Sequence, residues 1–364
     1  MSFNQIMMNR FETRGVGLIK YVQPVEIATA SGKLAEAFDQ MRRDFGMVVS
    51  LVLLHSPVPE LLYGVWAVLR ETLLVGNVPR NLKEAVSATV SKVNECPFCV
   101  DAHTVMLHAL AEHEAVEAIL QGRSDQIKSP EVRAMIEWAS ASRTPGSPLL
   151  QMPPFDPADA PEIIGVAVAF HYLNRMANIF MDGVVLPIPA RLTGLKRAIN
   201  QLSGSLLKEW MAPLSSPGES LSFLPDVSLP ADLAWAASNP SVAGAYARLT
   251  AAVEAAGERS LPTVVRALVQ QQVQNWQGVD PGLSRRWLEE AITELDETYK
   301  PAARLTLLTA LASYQVDEGI IRAFQTQYPG DDKLIGATAW ASFTAARRAG
   351  AWLQVAETQA VSYA

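Results

Sequence analysis

Apolar residues recur along this chain at intervals of three and four. Between positions 31 and 45, Leu34, Phe38, Met41 and Phe45 fall on one stripe, the mark of an amphipathic helix. Pro57 opens a second such segment carrying Leu61, Leu62, Val65, Val68 and Leu69. The same reading predicts helices over 81–93, 97–112, 131–142, 158–180 and 189–202, joined by turns that Pro and Gly mark. Alternating patterns of strand type are scarce, so the pattern describes an all-α fold.

The segment 213–230 (PLSSPGESLSFLPDVSLP) is dense in Ser, Pro and Gly and reads as a linker between a domain at 1–212 and another at 231–364. The halves resemble each other. At one constant offset Pro57, Tyr63, Pro79, Lys83, Val86 and Val90 fall on Pro240, Tyr246, Pro262, Arg266, Val269 and Val273. At a slightly shorter offset the run from Ile163 parallels the run from Leu334. A repeat of half the chain points to two tandem helical domains related by internal duplication. Packing positions persist in the second copy and reactive ones do not. Glu84, Cys96, Cys99 and His103 fall on Ala267, Val279, Gly282 and Arg286, so the second domain is expected to be a degenerate structural partner.

Composition narrows the function classes. An apolar share of 49% with only 18% charged residues excludes a disordered chain. The net charge of −7 gives no basic field for a nucleic-acid partner. No uninterrupted apolar run approaches the ~18 residues of a membrane span, and the N-terminal stretch is polar and carries an acid, unlike a secretory signal. The expectation is a cytoplasmic protein without a membrane partner.

The two cysteines, Cys96 and Cys99, stand two residues apart. In a reducing compartment such a pair means redox chemistry or half of a metal site rather than a disulfide scaffold. Pro97 suits the first position of a helix, making Cys96 its N-cap and Cys99 its third residue. The positive helix end then favours thiolates, and both sulfurs are expected to be more acidic than free cysteine. His103 lies one turn beyond Cys99, placed to take the thiol proton. The dipole favours Cys96 as the reactive sulfur and the histidine favours Cys99, so spacing leaves the choice open. If 81–93 and 97–112 fold back on each other about Asn94 and Glu95, Glu84 comes within a turn of His103 and completes a Glu–His–Cys proton relay. A zinc site from Cys96, Cys99, His103 and His108 has suitable ligand types, but His108 points about 140° around the helix from His103. No metal and no cofactor is expected. His171, Asn174 and Arg175 share one helix and line the pocket, a subunit contact or a polar seam. His55 either caps a helix or borders the site.

The pattern E-x11-C-x2-C-x3-H, with FGMVVSLVLLHSPVPELL before it and HYLNRMANIF after it, resembles the alkylhydroperoxidase D/carboxymuconolactone decarboxylase superfamily, in its peroxidase-related branch. The resemblance implies an all-helical fold and a thiol peroxidase acting on small or organic hydroperoxides. By it, Cys99 attacks peroxide and becomes a sulfenic acid, Cys96 resolves it as a disulfide, and Glu84 and His103 relay protons. A dithiol donor, dihydrolipoyl or thioredoxin in type, resets the pair. It also implies a homo-oligomer, the fused duplicate taking the place of a second subunit. One position departs: the alkylhydroperoxidase branch has a histidine where this chain has Phe98, which removes a station from the relay. Two other readings stand beside this one, a disulfide reductase or dithiol relay that never meets peroxide, and a non-enzymatic helical assembly module.

Overall fold

A computed structural model describes residues 3–183, 207, 210–212, 214 and 216–354; the helix expected over 189–202 lies outside them. The first half contains α1 (Phe3–Gly17), α2 (Gly32–Phe45), α3 (Ser50–Leu53), α4 (Pro59–Leu69), α5 (Arg80–Val93), α6 (Pro97–Ala109), α7 (His113–Gln121), α8 (Pro130–Ser140), α9 (Pro148–Gln151) and α10 (Ala160–Phe180). The second contains α11 (Pro240–Ser260), α12 (Thr263–Asn275), α13 (Arg286–Ala291), α14 (Lys300–Leu311), α15 (Glu318–Gln327) and α16 (Asp331–Leu353). Among the described residues β-pairing is confined to two isolated bridges, Ile19 with Met181 and Val75 with Leu214. The fold is all-α.

Local chemistry sets the boundaries. Gly46 closes α2 in the left-handed conformation, which costs a glycine least. The second predicted helix begins at Pro59 rather than Pro57, with proline in its first turn where a missing N–H costs nothing. Ser129 and Asn239 cap α8 and α11 by accepting backbone N–H groups.

The repeat seen in the sequence has a counterpart in packing. Helices α4, α5, α8 and α10 stand at the positions repeated by α11, α12, α14 and α16. Helix α4 packs along α11, and α10 along α16, so matching helices of the halves meet within one chain and share one apolar core. At the first crossing the backbones approach closely: a Cβ on Gly64 would lie 3.0 Å from the Leu249 Cα. Helix α10 is long and apolar enough to cross a membrane by length and composition, yet 94% of that window is buried inside the protein. Its hydrophobicity serves the core.

The described part of 213–230 is held against α4. Ser216 O accepts from Arg70 Nη1 at 3.0 Å, and Glu71 accepts from Gly218 N and Ser220 Oγ. Phe223 stacks on Tyr63. Arg70 also pairs with Asp44 and Glu71 at 2.7 Å. A buried charge requires such partners, which explains why a stretch of linker composition is fixed in place.

His55 lies wholly inside, its ring nitrogens 2.8 Å from Leu51 O and 2.7 Å from Tyr172 Oη. Burial pushes its pKa down to about 4. Because the folded value is depressed, the native state favours the neutral ring; the associated stability is present above about 6.5 and lost as pH falls toward 4. Urea unfolding at pH 7 and pH 4.5 is expected to show a loss on the order of 2–3 kcal/mol from this group, and His55→Gln should reduce that pH dependence.

Candidate active site

Helices α5 and α6 form an antiparallel hairpin turning at Asn94 and Glu95. Glu95 adopts a left-handed φ of 52°, and Cys96 N donates back to Ser91 O at 3.0 Å. Cys96 is the N-cap of α6, Pro97 is in its first turn, and the Cys99 N–H donates to the Cys96 Sγ at 3.3 Å. The hairpin brings Glu84 on α5 against His103 on α6, with Glu84 Oε2 2.6 Å from His103 Nδ1. The other carboxylate oxygen accepts from Arg80 Nε at 2.7 Å. Burial alone raises the Glu84 pKa, but Arg80 and His103 outweigh it and hold the group below the ordinary carboxylate value. An ionised Glu84 only accepts, so the proton of that bond sits on His103 Nδ1 and leaves Nε2 free to take another. The edge of the His103 ring meets Phe170 of α10, ring centroids 4.4 Å apart.

Cys99 and His103 line one cavity of about 140 Å³. Its wall is almost wholly apolar, with Phe11 and Leu18 from the α1 side, Phe45, Leu73, Phe98 and Phe170 among the others. Cys96 and Glu84 lie behind this wall. Both thiols are free and buried. The expectation of unusually acidic sulfurs does not hold for Cys99: burial, then the neighbouring Cys96 sulfur, push its pKa well above the ordinary cysteine value, and a hydrogen bond from Asn174 works the other way. The helix end is present, but removal from water outweighs it. Among the described residues no hydrogen bond joins His103 to Cys99; they face each other through the cavity.

The polar residues of α10 divide in two directions. Asn174 Nδ2 donates to Ser91 Oγ and its Oδ1 accepts from Asn94 Nδ2, each at 3.0 Å; Asn94 Nδ2 also lies 3.0 Å from His171 Nδ1. Arg175 turns toward the second half, donating to Ala310 O and His171 O. Its pKa falls to about 9, through burial and then Arg143. The guanidinium groups of Arg143 and Arg175 both lie over the Trp276 ring, at 5.4 and 5.6 Å from its centroid. The sequence motif did not single out Arg80, although its spacing of four from Glu84 was a usable signal. His108 pairs with His113 across 2.8 Å, away from the thiols.

The second half contributes no equivalent group. Where α6 would lie, the chain runs as a loop to α13, with left-handed glycines at 278 and 282. Gly278 O accepts from Arg143 Nε, and Arg143 Nη1 donates to Val93 O, so this loop docks beside the α5–α6 turn. A Cβ on Gly278 would lie 1.7 Å from the Arg143 carbonyl oxygen.

Comparison with known proteins agrees with this arrangement. Residues 59–141, which span α4 through α8, match the carboxymuconolactone decarboxylase family. The chain is 38% identical over 344 residues to a Mycobacterium tuberculosis (strain ATCC 25618 / H37Rv) protein named alkyl hydroperoxide reductase Rv2159c, covering 94% of this chain and 97% of that one. With similarity running through both halves and the Glu84–His103 contact set beside the cysteine pair, the chain belongs to the alkylhydroperoxidase D-like/carboxymuconolactone decarboxylase superfamily.

Proposed function

We propose that this alkylhydroperoxidase-like oxidoreductase reduces small or organic hydroperoxides through Cys99 and Cys96 and is reset by a dithiol donor. The supporting observation is the cavity that Cys99 and His103 share, with Cys96 directly behind and Glu84 fixing the imidazole. The Cys99 proton passes to His103 Nε2. The thiolate attacks the terminal peroxide oxygen, an S–O bond forms, the O–O bond breaks, and the departing alkoxide takes the proton back from His103. Cys96 then attacks the Cys99 sulfenic acid, and the S–S bond replaces S–O with release of water. A dithiol of dihydrolipoyl or thioredoxin type reduces that disulfide and becomes oxidised itself. The apolar wall suits an alkyl or aryl group on the peroxide.

The reading extends to a cytoplasmic homo-oligomer in which domain 231–364 stands where a second subunit would. The packing of α4 on α11 and α10 on α16 supports that part, and sedimentation velocity tests it.

A second reading, a dithiol relay or disulfide reductase without peroxidase activity, is favoured by Phe98, which lines the cavity where the alkylhydroperoxidase branch has a proton-carrying histidine. One experiment separates them. Reduced protein mixed with cumene hydroperoxide should consume one equivalent and lose both thiols. Reduced protein that ignores the peroxide but exchanges with the disulfide of lipoamide or oxidised thioredoxin supports the relay instead.

A further inference from the structure

A separate cavity of about 20 Å³ shares no residue with the one at Cys99 and is lined by Arg143 and Arg175. Arg143 follows the end of α8, Arg175 lies on α10, and residues 311–314 of the second half complete the wall. Each guanidinium spends Nε and Nη1 on backbone carbonyls: Arg175 on Ala310 O and His171 O, Arg143 on Gly278 O and Val93 O. Among the described residues neither Nη2 has a hydrogen-bond partner, and no carboxylate lies within ion-pair distance of either group. The other buried arginines and lysines are treated differently. Arg70 has Asp44, Arg80 has Glu84 and Lys83 has Glu162. Arg175, only 5% exposed, has a second cation beside it instead. A charge held out of water without a counter-charge is costly, and a like charge in the same cavity adds repulsion. Glu95 and Asp280 also line the cavity, but both are exposed, and Asp280 already accepts from Tyr314 Oη and Gly282 N.

We propose that this cavity binds one small planar oxyanion, bicarbonate or a carboxylate of formate or acetate size, between the remaining N–H groups of Arg143 and Arg175. A guanidinium presents its N–H groups as a planar fork that matches two oxygens of such an anion. Room for only one or two waters limits the ligand to a few heavy atoms. The bound anion supplies the counter-charge that both arginines lack. It also joins the halves, because Arg143 holds Val93 O ahead of the turn to Cys96 and Arg175 holds Ala310 O of the second half. The degenerate copy thereby contributes to a site although it contains no cysteine.

Thermal unfolding of the full chain at pH 7.5 tests this, with bulky MOPS anion replaced stepwise by formate, acetate or bicarbonate at constant ionic strength. At least one of the three should raise Tm saturably, by about 2–4 °C at a hundredfold excess over its Kd. Phosphate should not. Arg143→Gln and Arg175→Gln should each abolish the rise. Glu95→Gln removes a negative charge from the cavity wall without touching either arginine, and should lower the half-saturating concentration about twofold to threefold. No saturable rise in the native chain overturns the proposal, as does a rise with phosphate alone or an undiminished rise in a folded arginine variant. If neither arginine variant folds by circular dichroism, an unchanged half-saturating concentration in Glu95→Gln overturns it. The site stands apart from the peroxide chemistry, so failure here leaves the peroxidase reading in place, and a protein inert to peroxide leaves the anion site in place.

Discussion

Cys99→Ser should reduce peroxide consumption to the uncatalysed background. A serine hydroxyl in the same apolar wall has no accessible anion and cannot displace an alkoxide from a peroxide bond, whereas a thiolate can. The partner variant gives the sharper contrast. Cys96→Ser keeps the sulfur that faces the cavity, so reduced protein should still consume one equivalent of hydroperoxide and then stop, held as a sulfenic acid with no neighbouring thiol to resolve it. A dimedone adduct on Cys99 of that variant would identify the stalled species. The reverse outcome, with Cys96→Ser silent and Cys99→Ser active, would place attack at the helix cap.

Glu84→Gln carries the second large effect. The substitution keeps shape but removes the charge that keeps the His103 Nδ1–H oriented and favours a proton on the other ring nitrogen. Loss of a positioned acid–base relay is expected to slow single-turnover thiol oxidation by roughly 10² to 10⁴. Arg80 also loses its ion-pair partner while remaining 7% exposed, so unfolding in urea should show a cost on the order of 3 kcal/mol. Measuring both separates catalysis from stability, since Arg80→Gln should reproduce much of the second effect with less of the first. The sign of the pH dependence follows from the depressed Glu84 value. Its stabilising contribution is complete above the unfolded glutamate value near ~4.3 and is lost only as pH falls through the lower folded value. Activity limited by this group should therefore persist below the ordinary glutamate range.

What could be read from the chain was what is local or one hairpin away. Pro97 and the cysteine spacing placed Cys96 at the helix cap because a cap depends on its own next three residues. Glu84 reached His103 because a short turn between two helices leaves little freedom in their register. The acidity that the helix end implies fails for Cys99 because the helix end is a sequence feature and burial is not: the walls that exclude water come from α1, α2 and α10, at Phe11, Phe45 and Phe170. The chain alone leaves Asn174 open among pocket, subunit contact and polar seam, since its contact with Ser91 spans 83 residues and no periodicity announces it. Similarly, the composition of the Ser- and Pro-rich stretch is that of a free linker, and what holds it, the buried Arg70 and Glu71 with their need for partners, lies far away in the chain.

The central claim is that peroxide oxidises this particular pair of sulfurs to each other. The most direct measurement is the intact mass of reduced protein after one equivalent of cumene hydroperoxide, followed by mapping of the peptide that contains both cysteines. The account predicts a chain two hydrogens lighter, with a Cys96–Cys99 disulfide that dihydrolipoamide or reduced thioredoxin reverses. An unchanged mass with both thiols still alkylatable would contradict it.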